Sequence, residues 1–301
     1  MPGVAPAAML DPALLAGIGD LELLARTVVD GFLHGAHRSS RTGLSVDFAE
    51  HRPYQPGDDL RRIDWRVYAR TDRFYLKTYE AETNADVRIA LDVSKSMDFG
   101  TGALTKFAWA RAMLAALAWL AQRQGDRVGY VPLGREAREI VPPSTRHLSL
   151  VLQALARTEP GGDLPLGAAL QRAARLRGRA GVFVVASDCY DDPVAIQHGL
   201  GALRARGHDV ILFHVIDPAE RDFPYEAADT FADLETEARL ALRPEEVRVS
   251  YREAFREHGA RLRRLAGADG ADYLVVHGDE PLDRALRAWL EHRRRPELGR
   301  R

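Results

Sequence analysis

The chain has 301 residues, 46% of them apolar, which is enough for one large or two modest domains with a real core. Its 42 Lys plus Arg balance 43 Asp plus Glu, so no global charge draws it to nucleic acid or to an anionic membrane surface. A single cysteine, Cys189, excludes an internal disulfide and a cysteine-built metal site, and it suits a reducing compartment.

The first residues, MPGVAPAAMLDP, lack the basic region that opens a secretion signal. Apolar residues at helical spacing (Leu14, Leu15, Ile18, Leu21, Leu24, Val28, Phe32) predict a helix within residues 12–37. From 38 to 86 the composition changes to crowded Arg, Asp and aromatics, with a turn at Pro56-Gly57-Asp58 and an alternating strand over 74–79. From 87 to 292 short apolar runs alternate with helical patterns. Strands are expected at 87–93, 127–133, 180–186, 210–216 and 273–277, and helices at 106–122, 148–156, 164–176, 194–205 and 281–292. Asp163 is placed to cap the helix at 164–176. Residues 231–250 match neither period, so a strand pair or an irregular insertion is expected near 218–250, and the basic tail 293–301 is read as a solvated end. The longest apolar run, 112–121, is too short to span a bilayer. Strands buried on both faces and alternating with helices define an α/β class with a doubly wound, mostly parallel sheet, preceded by a helical and β-rich segment. The whole reads as a soluble, cytoplasmic protein.

In such a sheet, ligands bind beyond the carboxyl ends of the strands, near the point where strand order reverses. Three segments deliver oxygen donors there: Asp92-Val93-Ser94-Lys95-Ser96, Gly161-Gly162-Asp163, and Ser187-Asp188 with Asp191 and Asp192 close behind. Oxygen donors of this kind suit Mg²⁺, with Mn²⁺ or Ca²⁺ as alternatives. Each segment also has an ordinary reading, since Ser and Asp are common turn and cap residues.

LDVSKSM followed later by ASD resembles the metal-ion-dependent adhesion site (MIDAS) of von Willebrand factor A-type domains, whose first loop reads D-x-S-x-S. Upstream, EHRPYQPGDDLRRIDWRVYARTDRFYLKTYEAE closely resembles the signature of the bacterial domain of unknown function family fifty-eight, in which a similar segment precedes an A-type domain. The resemblance implies that Ser94 and Ser96 ligate a metal directly, that Asp92 and Asp188 hold metal-bound waters or hydroxyls, and that a partner supplies a carboxylate. It further implies a non-enzymatic adaptor that works with a MoxR-type AAA+ ATPase. One departure is Asp163, where A-type domains usually place a Thr. An Asp there would either ligate the ion directly or serve only to cap its helix.

Within the signature, Arg52, Asp58, Asp59, Arg61, Asp64 and Arg70 alternate in sign beside Tyr54 and Trp65. Arg–Asp pairs pinning a compact β-rich module are the structural reading, and a docking surface anchored by Arg, Tyr and Trp is the functional one. Acids nearly balance bases here, which disfavours nucleic acid. The competing function is a Mg²⁺-dependent phosphohydrolase of haloacid dehalogenase-like type, with Asp92 as nucleophile. That chemistry wants a second acid two residues on, where this chain has Ser94.

Overall fold

The computed structural model describes residues 12, 17, 19–38, 51–53, 68, 70, 72–77, 85–134, 140–226, 229–235 and 238–294. Helix α1 (Leu21–Arg38) opens at Asp20, whose Oδ1 accepts the Glu22 and Leu23 amides at 2.8 and 3.2 Å. It buries Leu24, Ala25, Val28, Val29 and Phe32, a single stripe at helical spacing. Leu14, Leu15 and Ile18, expected on the same face, lie outside the described residues.

Strands β1 (His51–Pro53) and β2 (Tyr75–Lys77) pair antiparallel, and just before β2 the rings of Tyr68 and Phe74 stack at 4.5 Å. Of the strand expected at 74–79, Tyr75–Lys77 is present as β2, and residues 78 and 79 lie outside the described residues. Of the signature residues, Arg52 falls in β1 and Arg70 in an exposed helical position. Tyr54, Asp58, Asp59, Arg61, Asp64 and Trp65 lie outside the described residues.

The main sheet comprises β3 (Asp86–Asp92), β4 (Arg127–Leu133), β5 (Val141–Ser144), β6 (Gly181–Ser187), β7 (Asp209–Ile216) and β10 (Asp272–His277). Across the sheet the order is β10-β7-β6-β3-β4-β5. Only the edge strand β5 runs antiparallel. Counted along the chain and read from the β5 edge, this is the Rossmann-type order 3-2-1-4-5-6, whose reversal falls between β3 and β6. The β5 edge was not foreseen, because Val141-Pro142-Pro143-Ser144 carries two prolines and reads as a turn.

Alternation along the strands divides the core in two. On β6, Val182, Val184 and Ala186 join one apolar cluster while Phe183 and Val185 join the other. Ile211, Phe213 and Val215 on β7 face the first, and Val210 and Leu212 the second. The first face is covered by α1, α2 (Lys106–Arg123), α3 (Leu148–Arg157) and α8 (Asp283–Arg294), with Trp109 and Trp289 fully buried. The second is covered by α4 (Leu166–Ala173), α5 (Pro193–Ala205) and α7 (Pro244–Ala268). Burying one large apolar side chain contributes about 1.5–3 kcal/mol, so these two clusters hold the sheet rigid.

Two differences from the sequence reading bear on the site. Helix α4 begins at Leu166 with Pro165 at its cap, so exposed Asp163 lies in the preceding loop and does not cap it. The segment after β7 contains the short helix α6 (Pro218–Asp222) and a hairpin, β8 (Asp229–Ala232) with β9 (Arg239–Leu242), before the 25-residue helix α7. The strand pair was one of the expected alternatives. Helix α7 was not expected, because it buries only Pro244, Leu262 and Ala266 and shows a thin apolar stripe.

Candidate functional site

The strand order brings the carboxyl ends of β3 and β6 side by side, which sets Asp92 next to Ser187 and Asp188 although they are far apart in the chain. Asp92 is buried. Its Oδ2 accepts from Ser187 Oγ at 2.5 Å, and its Oδ1 accepts the Ser94 amide at 2.9 Å. Ser187 Oγ in turn accepts the Cys189 amide at 2.9 Å, so one hydroxyl locks both strand ends. The Asp92 carboxyl is pushed up to about 7 by burial and by the neighbouring charge of Asp188, against the hydrogen bonds from Ser187 and Ser94.

Beyond Asp92 the chain turns through a short 3-10 helix (Lys95–Asp98), and the hydroxyls of Ser94 and Ser96 meet at 3.0 Å. The Gly161-Gly162 loop is tied to this turn. Both glycine amides donate to the Val93 carbonyl, at 2.8 and 2.7 Å, and Gly162 bridges Ser94 in parallel. Gly161 has φ +141°, a conformation that favours glycine, so the loop can fold back toward β3. The structure therefore brings Asp92, Ser94, Ser96 and Asp188 together at one strand-end cluster, with the Asp163 loop fastened beside them.

Two residues at the site were missed in the sequence. Lys106, the first residue of α2, is buried, and its Nζ donates to Asp188 Oδ2 at 2.8 Å and also to Glu220 of α6. Burial works against its charge, but Asp188 and Glu220 hold the ammonium above the ordinary lysine range. Glu220 also closes a capping box with Asp217, whose carboxylate accepts both the amide and the hydroxyl of Thr101 at 2.9 and 2.6 Å. A faint signal existed: Lys106 is one of only three lysines in a chain that otherwise uses arginine. The second residue is Glu235, in the turn of the β8–β9 hairpin, whose Oε1 accepts the Ser96 amide at 2.8 Å. Nothing local in the sequence marks it.

Cys189 follows Asp188 with φ +56° and is fully buried; burial first, then the charges of Asp188 and Asp92, push its thiol well up. A nucleophilic role for it therefore has no support. A phosphohydrolase role has none either, since both oxygens of Asp92 accept hydrogen bonds from its own scaffold. Among the described residues no three His, Cys, Asp or Glu side chains form a metal-binding group, so an ion here would draw on hydroxyls. The arrangement fits that demand. Adjacent ligands on an octahedral Mg²⁺, each about 2.0–2.1 Å from the ion, lie about 3 Å apart. The two serine hydroxyls stand at that separation. Among the described residues Lys106 faces both Asp188 and Glu220, so acids outnumber the cation there even with the Asp92 carboxyl pushed up to about 7.

A doubly wound sheet in this order, with a D-x-S-x-S turn at its switch point, defines a von Willebrand factor A-like α/β domain. The family model "Protein of unknown function DUF58" matches residues 50–261, and the chain belongs to that family. It is 32% identical over 299 residues to the uncharacterised protein Rv1480 of Mycobacterium tuberculosis, covering 96% of this chain and 92% of that protein. The uncharacterised protein Mb1516 of Mycobacterium bovis matches to the same extent. Among solved structures, BatB from Bacteroides thetaiotaomicron is similar at 18% identity and a TM-score of 0.47, covering 69% of this chain and 98% of that one. An aerotolerance-related membrane protein from Bacteroides fragilis is similar at 20% identity and a TM-score of 0.46, covering 69% and 97%. A von Willebrand factor type A protein from Catenulispora acidiphila is similar at 13% identity and a TM-score of 0.42, covering 68% and 42%. Among the described residues no helix is long and apolar enough to cross a membrane.

Proposed function

We propose that this chain is a protein-interaction module that grips an acidic side chain of its partner through a divalent cation held at Ser94 and Ser96, with Mg²⁺ as the first candidate. The observation that carries the reading is the 3.0 Å pair of serine hydroxyls directly above the buried, ionisable Asp92. Asp92 and Asp188 stand behind the hydroxyls as the outer carboxylates that orient metal-bound groups. Asp163, exposed beside them, adds negative charge to the rim. The ion supplies an electrophilic position open to a carboxylate; the chain supplies the rigid hydroxyls, the counter-charge and the surrounding surface. Tyr190, 63% exposed and with its ring 5.7 Å from Lys106 Nζ, offers an anchor of the kind favoured at interfaces.

The partner in this reading is a MoxR-type AAA+ ATPase, supported by membership of the family, and the cellular site is the cytoplasm. The test is a binding assay with that ATPase, with and without EDTA, using wild type and the Ser94→Ala/Ser96→Ala variant. Binding lost in EDTA and in the variant is expected. Unchanged binding in both overturns the cation bridge.

A further inference from the structure

Glu235 reaches the Ser94–Ser96 turn from 139 residues away, in a segment that otherwise lies outside the sheet. Its placement is built rather than incidental. The Glu235 amide donates to Asp233 Oδ1 at 2.8 Å, and the Asp233 amide closes the turn on the Ala238 carbonyl at 2.8 Å. The hairpin is fastened through Phe231, one pair from its turn, which stacks on Phe223 at 5.7 Å and meets Tyr225 edge-on at 5.0 Å. Its tip is another matter. Residues 232–235 and 239–241 are exposed, including Leu234 at 43% and Leu240 at 62%. A solvated two-stranded hairpin is marginal by itself, so a ribbon exposed along both strands and held to the domain mainly through one aromatic side chain can swing without unfolding the domain.

We propose that the β8–β9 hairpin is a built-in occupant of the site: Glu235 fills in cis the place of a partner's acidic side chain, and binding requires its displacement. The inference rests on the reading of Ser94 and Ser96 as the docking point. It adds that the partner presents an acid on an exposed turn, in the manner of Asp233-Leu234-Glu235. A carboxylate seated on the Ser96 amide competes directly with any carboxylate brought to the adjacent hydroxyls. An occupant in cis lowers apparent affinity by the fraction of time the site is closed.

The test compares the full wild-type chain with Glu235→Ala, which removes the acceptor of the Ser96 amide at an exposed position. Amide exchange in EDTA reads the contact itself: Ser96 and the hairpin tip exchange faster in the variant. With Mn²⁺ added, a labelled peptide of sequence Phe-Ala-Asp-Leu-Glu binds the variant about tenfold tighter than wild type, as expected for a site closed about nine-tenths of the time. Electron paramagnetic resonance follows Mn²⁺ binding independently. Unaltered Ser96 exchange, or a peptide that does not bind the variant more tightly than wild type, overturns the proposal. If Mn²⁺ binds neither protein while exchange and peptide binding respond, the cation reading falls and the cis occupant stands.

Discussion

The Lys106 ammonium donates to the Asp188 carboxylate at 2.8 Å, with the two side chains only 1% and 2% exposed. This ion pair crosses from the first turn of α2 to the end of β6 and supplies the one buried cation seen among the described groups beneath the serine turn. Stripping one member of a buried pair leaves a charge without compensation.

Lys106→Met is therefore expected to cost about 3–5 kcal/mol in urea unfolding measured in EDTA. Adding Asp188→Asn in the same chain should recover part of that loss, because the orphaned carboxylate is then neutral. A double variant at least as unstable as the sum of the two single changes would count against the pair as the source of the effect.

Ser94→Ala/Ser96→Ala is expected to fold normally, with stability in EDTA within about 1 kcal/mol of wild type, since both changes lie on the turn rather than in either core. Saturating Mg²⁺ or Mn²⁺ raises the wild-type melting temperature, because an ion bound only to the native state at about a hundred times its Kd adds about 2.7 kcal/mol. In the variant the shift disappears. Differential scanning fluorimetry across a metal titration reads both.

His214, buried on β7 with its Nδ1 2.5 Å from the Tyr273 hydroxyl, is held down at about 4, chiefly by burial and against the pull of Asp188. Its folded value lies below the ordinary 6.5, so the neutral ring stabilises the fold above pH 6.5. That contribution, of order 3 kcal/mol, is lost as pH falls from 6.5 toward 4. His214→Asn should flatten the dependence of stability on pH within this window. A slope identical to wild type would reassign it to other groups.

Gly167 of α4 packs so closely on α5 that an added Cβ would lie 2.5 Å from the Ala195 backbone. Gly167→Ala is expected to destabilise by about 1–3 kcal/mol, since the two helices must part. Gly267→Ala, in the last turn of α7, meets nothing within 4 Å. It should be neutral or stabilising by up to about 1 kcal/mol, through helix propensity and a less flexible unfolded chain. Thermal melts of the two variants side by side separate packing from propensity.

Period-two and helical patterns were legible because each is written in neighbouring residues. Val182, Val184 and Ala186 announce one face of β6 and Phe183 and Val185 the other, without reference to anything distant. The turn Asp92-Val93-Ser94-Lys95-Ser96 was legible for the same reason, as were the run after β6 and the class of sheet they belong to. The buried stripe of helix α7 is too thin to impose a period, and Asp163 looks like a cap in the sequence because a carboxylate before a helix reads alike wherever the first turn begins.

The sequence by itself thus determined the alternation of strands and helices, the family, and the serine turn at a strand end. Tertiary structure alone decided that Lys106 neutralises Asp188 across 82 residues and that Glu235 meets Ser96 across 139. Local propensity carries no information about partners so far apart. They meet because the strand order sets β3 beside β6, and because the chain after β7 folds a hairpin back to the turn that follows β3.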